Sequence, residues 1–471
     1  MSAAAKTGDR RISFGYPPFL QVSRAGKTVF IGFACLCAPC KREVPGLRRF
    51  LRVFALFSCL AALCAAGLLL PALLGPGGPP VPATAESAAL PSPPPSVSPS
   101  QSVSSPESAE TAGYRAVWIS YLEWQHTDFS SSEQFTADIA AMLDNCTGIG
   151  ANVIIAHVRP FGDALYSSEL FPFSHLCTGT QGQDPGFDPL AILLEQAHAR
   201  GLEVEAWINP YRLQAGGTPA DLADTGLAAL HPGWVREAAG GLWLDPALPE
   251  VQDHIAAGVE ELCRRYEIDG IHFDDYFYPT TDPAFDGDAY AAYRSGGGAL
   301  TQAEWRRENV SALVAKCYAA AHGAGVRFGI APQGSLENNY NGQYSDVARW
   351  LAEPGYADYL MPQLYWGLEY ETGGSTELAL DRMLARWQAL PRCGEVQLYV
   401  GLGAYRIGEG DGSDSGSEWQ SGGALANQAR WLAEQGIAGT ALYRYDSLFE
   451  NAAWPELAAQ ECAALRAAAG A

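Results

Sequence analysis

The sequence predicts an α/β fold, a (β/α)8 barrel of TIM type with long βα loops. Three observations predict it. From Tyr114 onward, eight short apolar, β-branched runs alternate with amphipathic stretches, the rhythm of parallel strands joined by crossover helices. The 359 residues from Gly113 to the end accommodate eight such units with long loops. Neither GxGxxG nor a GxxxxGK phosphate loop occurs anywhere, which argues against the open, doubly wound alternative.

Three segments precede that region. Residues 1–52 carry ten Lys/Arg against two Asp/Glu, a net of +8, and read as a basic cytoplasmic segment. Their Cys35-x-Cys37-x-x-Cys40 motif lacks a fourth ligand and His partners, so no metal site is expected. Translation starting further on, near Val44 or Leu47, would leave a short basic leader. Val53 to Leu74 is 22 uncharged, mostly apolar residues, long enough to cross a bilayer core as a helix. Lys41, Arg42, Arg48, Arg49 and Arg52 precede it and put the N-terminus in the cytoplasm. A single-pass signal anchor with an extracellular body is the expectation. The alternative is a signal peptide cleaved near Ala83-Thr84-Ala85, with secretion. Residues 75–112, rich in Pro, Ser, Ala and Gly, cannot bury a core and are expected to form a disordered tether.

The expected strands are Arg115–Ser120, Asn152–Val158, Glu203–Ile208, Gly270–Asp274, Arg327–Ala331, Tyr359–Leu364, Gln397–Leu402 and Gly439–Tyr443. Between them, Glu133–Cys146 puts Phe135, Ile139, Met142 and Cys146 on one face. Asp188–Arg200 has an Asp cap and Pro189 in its first turn, and stops before Gly201. Glu250–Tyr266 repeats Val251, Ile255, Val259 and Leu262. Thr301–Ala324, Tyr344–Leu351, Glu377–Leu390 and Ala424–Gln435 continue the pattern.

Polar and aromatic residues gather where these strands end, at one face of such a barrel. Flat rings suit the C–H faces of sugars, and amides and arginines suit their hydroxyls. The candidate substrate-binding residues are Arg115, His157, Arg159, Asp163, Trp207, Asn209, Tyr211, His272, Tyr276, Gln333, Gln363, Tyr365 and Trp366. The candidate catalytic residues are Asp274 and Asp275, which close the fourth strand. Glycoside hydrolysis needs two carboxyls, one protonated and one ionised. Adjacent acids in a crowded site raise each other's proton affinity. Asp274 is expected as nucleophile or base and Asp275 as acid, with His272 tuning the pair. Glu123, Asp163, Asp245, Glu337, Glu369 and Asp446 are further acids at this face.

Taken in order, several motifs resemble the glycosyl hydrolase-like 10 family. They are Arg115-Ala-Val-Trp118, His157-Val-Arg159-Pro with Asp163-Ala-Leu-Tyr166, Ala206-Trp-Ile-Asn209-Pro-Tyr, Asp269-Gly-Ile-His-Phe-Asp274-Asp275-Tyr, Gly329-Ile-Ala-Pro-Gln-Gly334 and Met361-Pro-Gln-Leu-Tyr-Trp366. The resemblance runs from about Gly113 to Leu448. It implies a (β/α)8 barrel and a bacterial cell-envelope glycosidase; some members act on peptidoglycan glycan strands stripped of their peptides. Other barrel glycosidases often carry a Glu after the fifth strand. This chain has Gln333 there, so its acid has to be sought elsewhere.

Charge narrows the partners. Beyond Arg52 there are 20 basic and 50 acidic residues, a net of −30. Such a body repels nucleic acid and favours a neutral or cationic polysaccharide. No cofactor, no metal and no obligatory disulfide are expected, and the chain is read as a monomer held to the membrane by its N-terminal helix. Two other readings remain: a catalytically silent carbohydrate-binding barrel, and a metal-dependent deacetylase using His157, His272 and the Asp pair.

Overall fold

The computed structural model describes residues 113–470. The basic segment, the apolar run and the tether lie outside the described residues. Among the described residues, no helix is long and apolar enough to cross a membrane.

The strands are β1 (Tyr114–Ile119), β2 (Val153–Arg159), β3 (Glu203–Ile208), β4 (Gly270–Phe273), β5 (Arg327–Ile330), β6 (Tyr359–Leu360), β7 (Gln397–Leu398 with Val400–Gly403) and β8 (Gly439–Tyr443). Their hydrogen-bonded order follows the chain, and every pair is parallel. The two halves of β7 form opposite edges of this nine-stranded sheet. Gln397–Leu398 pairs with β6, and Val400–Gly403 pairs with β8. Tyr399 joins them, its N–H donating to Leu360 O at 3.0 Å. Both edges thus belong to one run, and the sheet curls into a barrel.

Each strand is followed by a helix. These are α1 (Ser132–Gly148), α2 (Pro189–His198), α3 (Pro249–Arg265), α4 (Gln302–Gly323), α5 (Val347–Ala352), α6 (Leu380–Gln388), α7 (Ala424–Glu434) and α8 (Pro455–Ala469). The first seven agree with the periodicity to within a few residues. In α3, Pro249 sits in the first turn, where its missing N–H costs nothing. Val251, Ile255, Val259 and Leu262 are then fully buried on one face, worth roughly 1.5–3 kcal/mol each. The sequence pattern did not reveal α8. Its Ala-rich run has few large apolar residues, and only Ala458, Glu461 and Leu465 are buried.

Two cores result. Most apolar side chains pack between barrel and helices. A smaller set, including Trp118, Ile155, Trp207, Tyr359 and Met361, fills the barrel itself. That interior is partly polar. Trp118 Nε1 donates to His272 Nε2 at 3.3 Å, and His272 Nδ1 lies 2.7 Å from the Tyr359 hydroxyl. Tyr359 in turn bonds Glu205, which accepts from Arg327 Nε at 2.7 Å. Between β3 and α3 the chain also builds a three-stranded antiparallel sheet of Arg212–Ala215, Val235–Ala238 and Gly241–Leu244.

Candidate active site

β4 ends at Phe273, and Asp274 and Asp275 follow it directly. Asp274 continues the inward alternation of His272 and is only 4% exposed. One of its oxygens accepts from Asn209 Nδ2 at 2.5 Å, and the other from the Tyr276 N–H at 3.2 Å. Asn209 follows β3, the neighbour of β4, so strand register delivers it. Asp275 accepts from Gln363 Nε2 at 3.0 Å and also bonds Gln333. Gln333 and Gln363 face each other across a parallel bridge just beyond β5 and β6. The amide of Gln343, turned so that its nitrogen donates to the Asp275 and Tyr278 carbonyls, accepts from Gln333 at 3.1 Å.

Electrostatics follow from this burial. Desolvation, then the adjacent Asp275 charge, pushes the Asp274 carboxyl up to about 7. Desolvation also raises Asp275, against the donors Gln363 and Gln333. Arg212, the first residue after Tyr211 in the β3 loop, lowers both. Burial and mutual charge thus hold the proton affinity of the pair above the ordinary carboxylate range, and the two titrate as a unit.

Around it, the His157 ring stacks on Trp207 at 3.7 Å with planes 7° apart. Burial drives His157 far below the usual imidazole range, so it is neutral. Tyr365 stacks on Tyr443 at 5.7 Å and meets Tyr405 edge-on at 5.6 Å. Burial above all, then the Tyr443 and Tyr405 hydroxyls and both carboxyls, raises the Tyr365 hydroxyl. Trp366 packs partly into the core beside Gly334.

The structure thus brings Asp274, Asp275, Asn209, Tyr276, Gln333, Gln363 and Tyr365 together, with His157 and Trp207 beside them. Other candidates go elsewhere. Arg115 sits at the amino end of β1, bonded to Gly150 O at 2.5 Å, because it precedes the strand interior rather than following it. Arg159 turns outward at the β2 irregularity and covers the Phe171 ring at 4.0 Å. Asp163 is fully buried and anchors its own loop, bonding His175 Nδ1 at 2.9 Å and Gln181 at 3.1 Å. Tyr211 is buried beside Asp245 and Cys317. His272 spends both nitrogens on Trp118 and Tyr359, inside the barrel. Among the other acids, Glu123 caps its own short helix and pairs with Arg444, which also holds Asp446 at 2.8 Å.

Arg212 and Gln343 also border the pair. Arg212 closes the run Trp207-Ile-Asn209-Pro-Tyr211-Arg212, which the sequence puts at the end of the third strand, although it is not among the candidate site residues. Gln343 escaped the sequence reading. Gln343 lies in a loop whose path no periodicity specifies. Among the described residues, no group of three or more His, Cys, Asp or Glu side chains could hold a metal ion.

Comparison with known proteins shows the family. The profile described as glycosyl hydrolase-like 10 matches residues 113–421. The chain belongs to the glycosyl hydrolase-like 10 family. It shares 35% identity over 337 residues with the glycosyl hydrolase DigH of Escherichia coli K12, covering 65% of this chain and 74% of DigH. It also shares 35% identity over 316 residues with the glycosyl hydrolase YngK of Bacillus subtilis strain 168, covering 62% and 61%. As a member of the glycosyl hydrolase-like 10 family the chain is a glycosidase, a hydrolase of O-glycosyl bonds. Solved structures resemble it more distantly. The PgaB (BpsB) glycoside hydrolase domain from Bordetella bronchiseptica gives a TM-score of 0.49 at 16% identity, covering 75% of this chain and 98% of that one. The catalytic domain of a Paenibacillus polymyxa β-amylase gives 0.48 at 14%, covering 77% and 100%.

Proposed function

We propose that this member of the family hydrolyses an extracytoplasmic polysaccharide, with the peptide-free glycan strands of peptidoglycan as its substrate. Asp274 and Asp275 carry the chemistry. The observation behind this reading is the pair itself: two adjacent carboxyls, desolvated, raised in proton affinity and ringed by amides and aromatics. With one proton between them, one carboxyl protonates the departing glycosidic oxygen while the other, ionised, attacks the anomeric carbon or activates water. Asn209 and Gln363 orient the two groups, and the Tyr365–Tyr443 stack offers a face for a sugar ring.

The extracytoplasmic placement rests on the 22-residue apolar run Val53–Leu74, its basic flank and the Pro/Ser-rich stretch after it. Protease added to intact protoplasts should then release a soluble body of about 359 residues. Complete protection would sink the topology.

The activity is tested by incubating the purified protein with peptide-free glycan strands, with and without a chelator. Release of reducing ends, unaffected by chelator, is the expected result. Binding without turnover would establish the silent barrel instead. Loss of turnover with chelator would restore the metal-dependent reading, although His272 is already engaged by Trp118 and Tyr359.

A further inference from the structure

Arg212 is only 6% exposed and is held on several sides. Its Nε donates to Pro160 O at 2.8 Å. Its guanidinium lies 4.8 Å from the Phe161 ring centroid, 5.2 Å from that of Tyr276 and 5.4 Å from that of Tyr121. Aromatic faces stabilise the cation while stripping it of water. Its Nη2 is nevertheless buried with no protein acceptor. The nearby Trp207 Nε1, on β3, is likewise a buried donor with no protein acceptor. A buried charged donor left unpaired costs about 1–3 kcal/mol or more. A fold that fixes such a donor at the mouth of a glycosidase has a use for it.

We propose that Arg212 is a substrate-contacting residue: Nη2 donates to an acceptor oxygen, hydroxyl or acyl carbonyl, of the sugar lying against the Asp274–Asp275 pair, while the fixed cation keeps one carboxyl of that pair ionised. This rests on the glycosidase reading of the same site and adds a residue to it. Guanidinium geometry suits both tasks. Held at Nε and stacked between rings, the plane cannot swing away to form an ion pair, so its remaining donor stays available.

Among the described residues, Arg212 from the β3 loop reaches both carboxyls, both carboxyls reach Tyr365 beyond β6, and the Tyr276 ring in the β4 loop lies under the Arg212 guanidinium. The neutral His157 from β2 neighbours Arg212 and Asn209. Arg212 is a cation whose charge lowers both carboxyls. Without it the pair should bind protons more tightly.

The test uses the full-length protein and two variants, Arg212→Gln and Arg212→Lys. Carboxyl-carbon NMR titration reads the pair directly, and binding of peptide-free glycan strands to each variant in an Asp274→Asn background reads the contact. Arg212→Gln should move the pair's titration upward by about one pH unit, as loss of a nearby opposite charge does. Arg212→Lys, keeping the charge, should restore most of that shift. Both variants should bind strands roughly 10- to 100-fold more weakly, the worth of one charge-assisted hydrogen bond, since a lysine cannot hold the stacked plane. An unmoved titration in Arg212→Gln, or unweakened binding in both variants, overturns the proposal. Lack of turnover by the parent enzyme would instead sink the glycosidase reading, and the NMR titration would still judge Arg212.

Discussion

Asp274 gathers more of the site's physics than any other residue. Replacing it with Asn is nearly isosteric, and Asn209 can turn its amide to satisfy the new group. Turnover should fall by roughly 10⁴-fold, the size of effect seen when a catalytic carboxylate becomes an amide, while strand binding survives on aromatics and amides. A fully active Asp274→Asn enzyme would eliminate the mechanism. Stability gives a second reading. The folded carboxyl is raised to about 7, so the native state binds this proton more tightly than the unfolded chain. Its contribution is therefore full below about pH 4 and is lost as pH rises through the folded value. Asp274→Asn should gain stability relative to the parent between pH 4 and pH 8, by about 2–4 kcal/mol in denaturant titrations. An equal offset at both pH values would refute the raised affinity. For Asp275→Asn, loss of its charge should lower the Asp274 value, because that charge is the second cause raising it. Because Asp274 acts in its ionised form, the acid limb of the rate profile should move to lower pH. If Asp275 is the acid, as the sequence suggested, substrates with good leaving groups should lose little rate while natural glycans lose much. An equal loss on both, with a lower melting temperature, would make Asp275 structural and remove it from the acid's role.

At the scale of elements, two contacts between neighbours can be tested. The first turn of α7 has no side-chain cap of its own. Glu461 on α8 supplies one from outside, accepting from the Ala424 N–H at 2.6 Å and the Leu425 N–H at 3.2 Å. Removing it in Glu461→Ala orphans two buried donors, and the loss should be about 1–3 kcal/mol by thermal unfolding. Glu461→Gln, which keeps one acceptor, should lose less; equal losses would show that the helix end is satisfied otherwise. The second contact is Gly329 on β5. A Cβ there would lie 1.9 Å from Tyr359 Cζ, and Tyr359 is the residue that links His272 to Glu205. Gly329→Ala must push that ring aside. A cost of about 1–3 kcal/mol is expected, and an unchanged melting temperature would show that the interior yields freely.

For the molecule as a whole, charge sets the preference among polymers. The −30 beyond Arg52 should favour neutral or de-N-acetylated cationic glycans over anionic ones. Added salt should weaken binding of a cationic glycan modestly and barely touch a neutral one. Tighter binding of an anionic polymer at low salt would contradict this. The barrel was legible because eight strands and seven helices each announce themselves through local periodicity. The antiparallel excursion from Arg212 to Leu244 and the last helix were not. Neither carries a strong apolar stripe, and each is held chiefly by contacts with distant parts of the chain.

By itself, the sequence determined the strand–helix rhythm, the face where the chemistry gathers and the two carboxyls at the end of β4. Those properties depend on alternation along one strand and on chain order, which are local. Tertiary structure alone decided which neighbours attend the pair. Asn209 reaches Asp274 through the β3–β4 register, and Gln363 reaches Asp275 through the β5–β6 bridge. It also decided that Arg159, Asp163 and Tyr211 serve packing instead, and that His272 belongs to the barrel interior. The reason is geometric. A side chain near a strand end can point into the mouth, into the helix layer or back along its own loop, and irregularities such as the one between His157 and Arg159 choose among these without leaving a mark in residue type. Proton affinity is decided at the same level, because desolvation and a neighbour's charge exist only once the chain has folded around the pair.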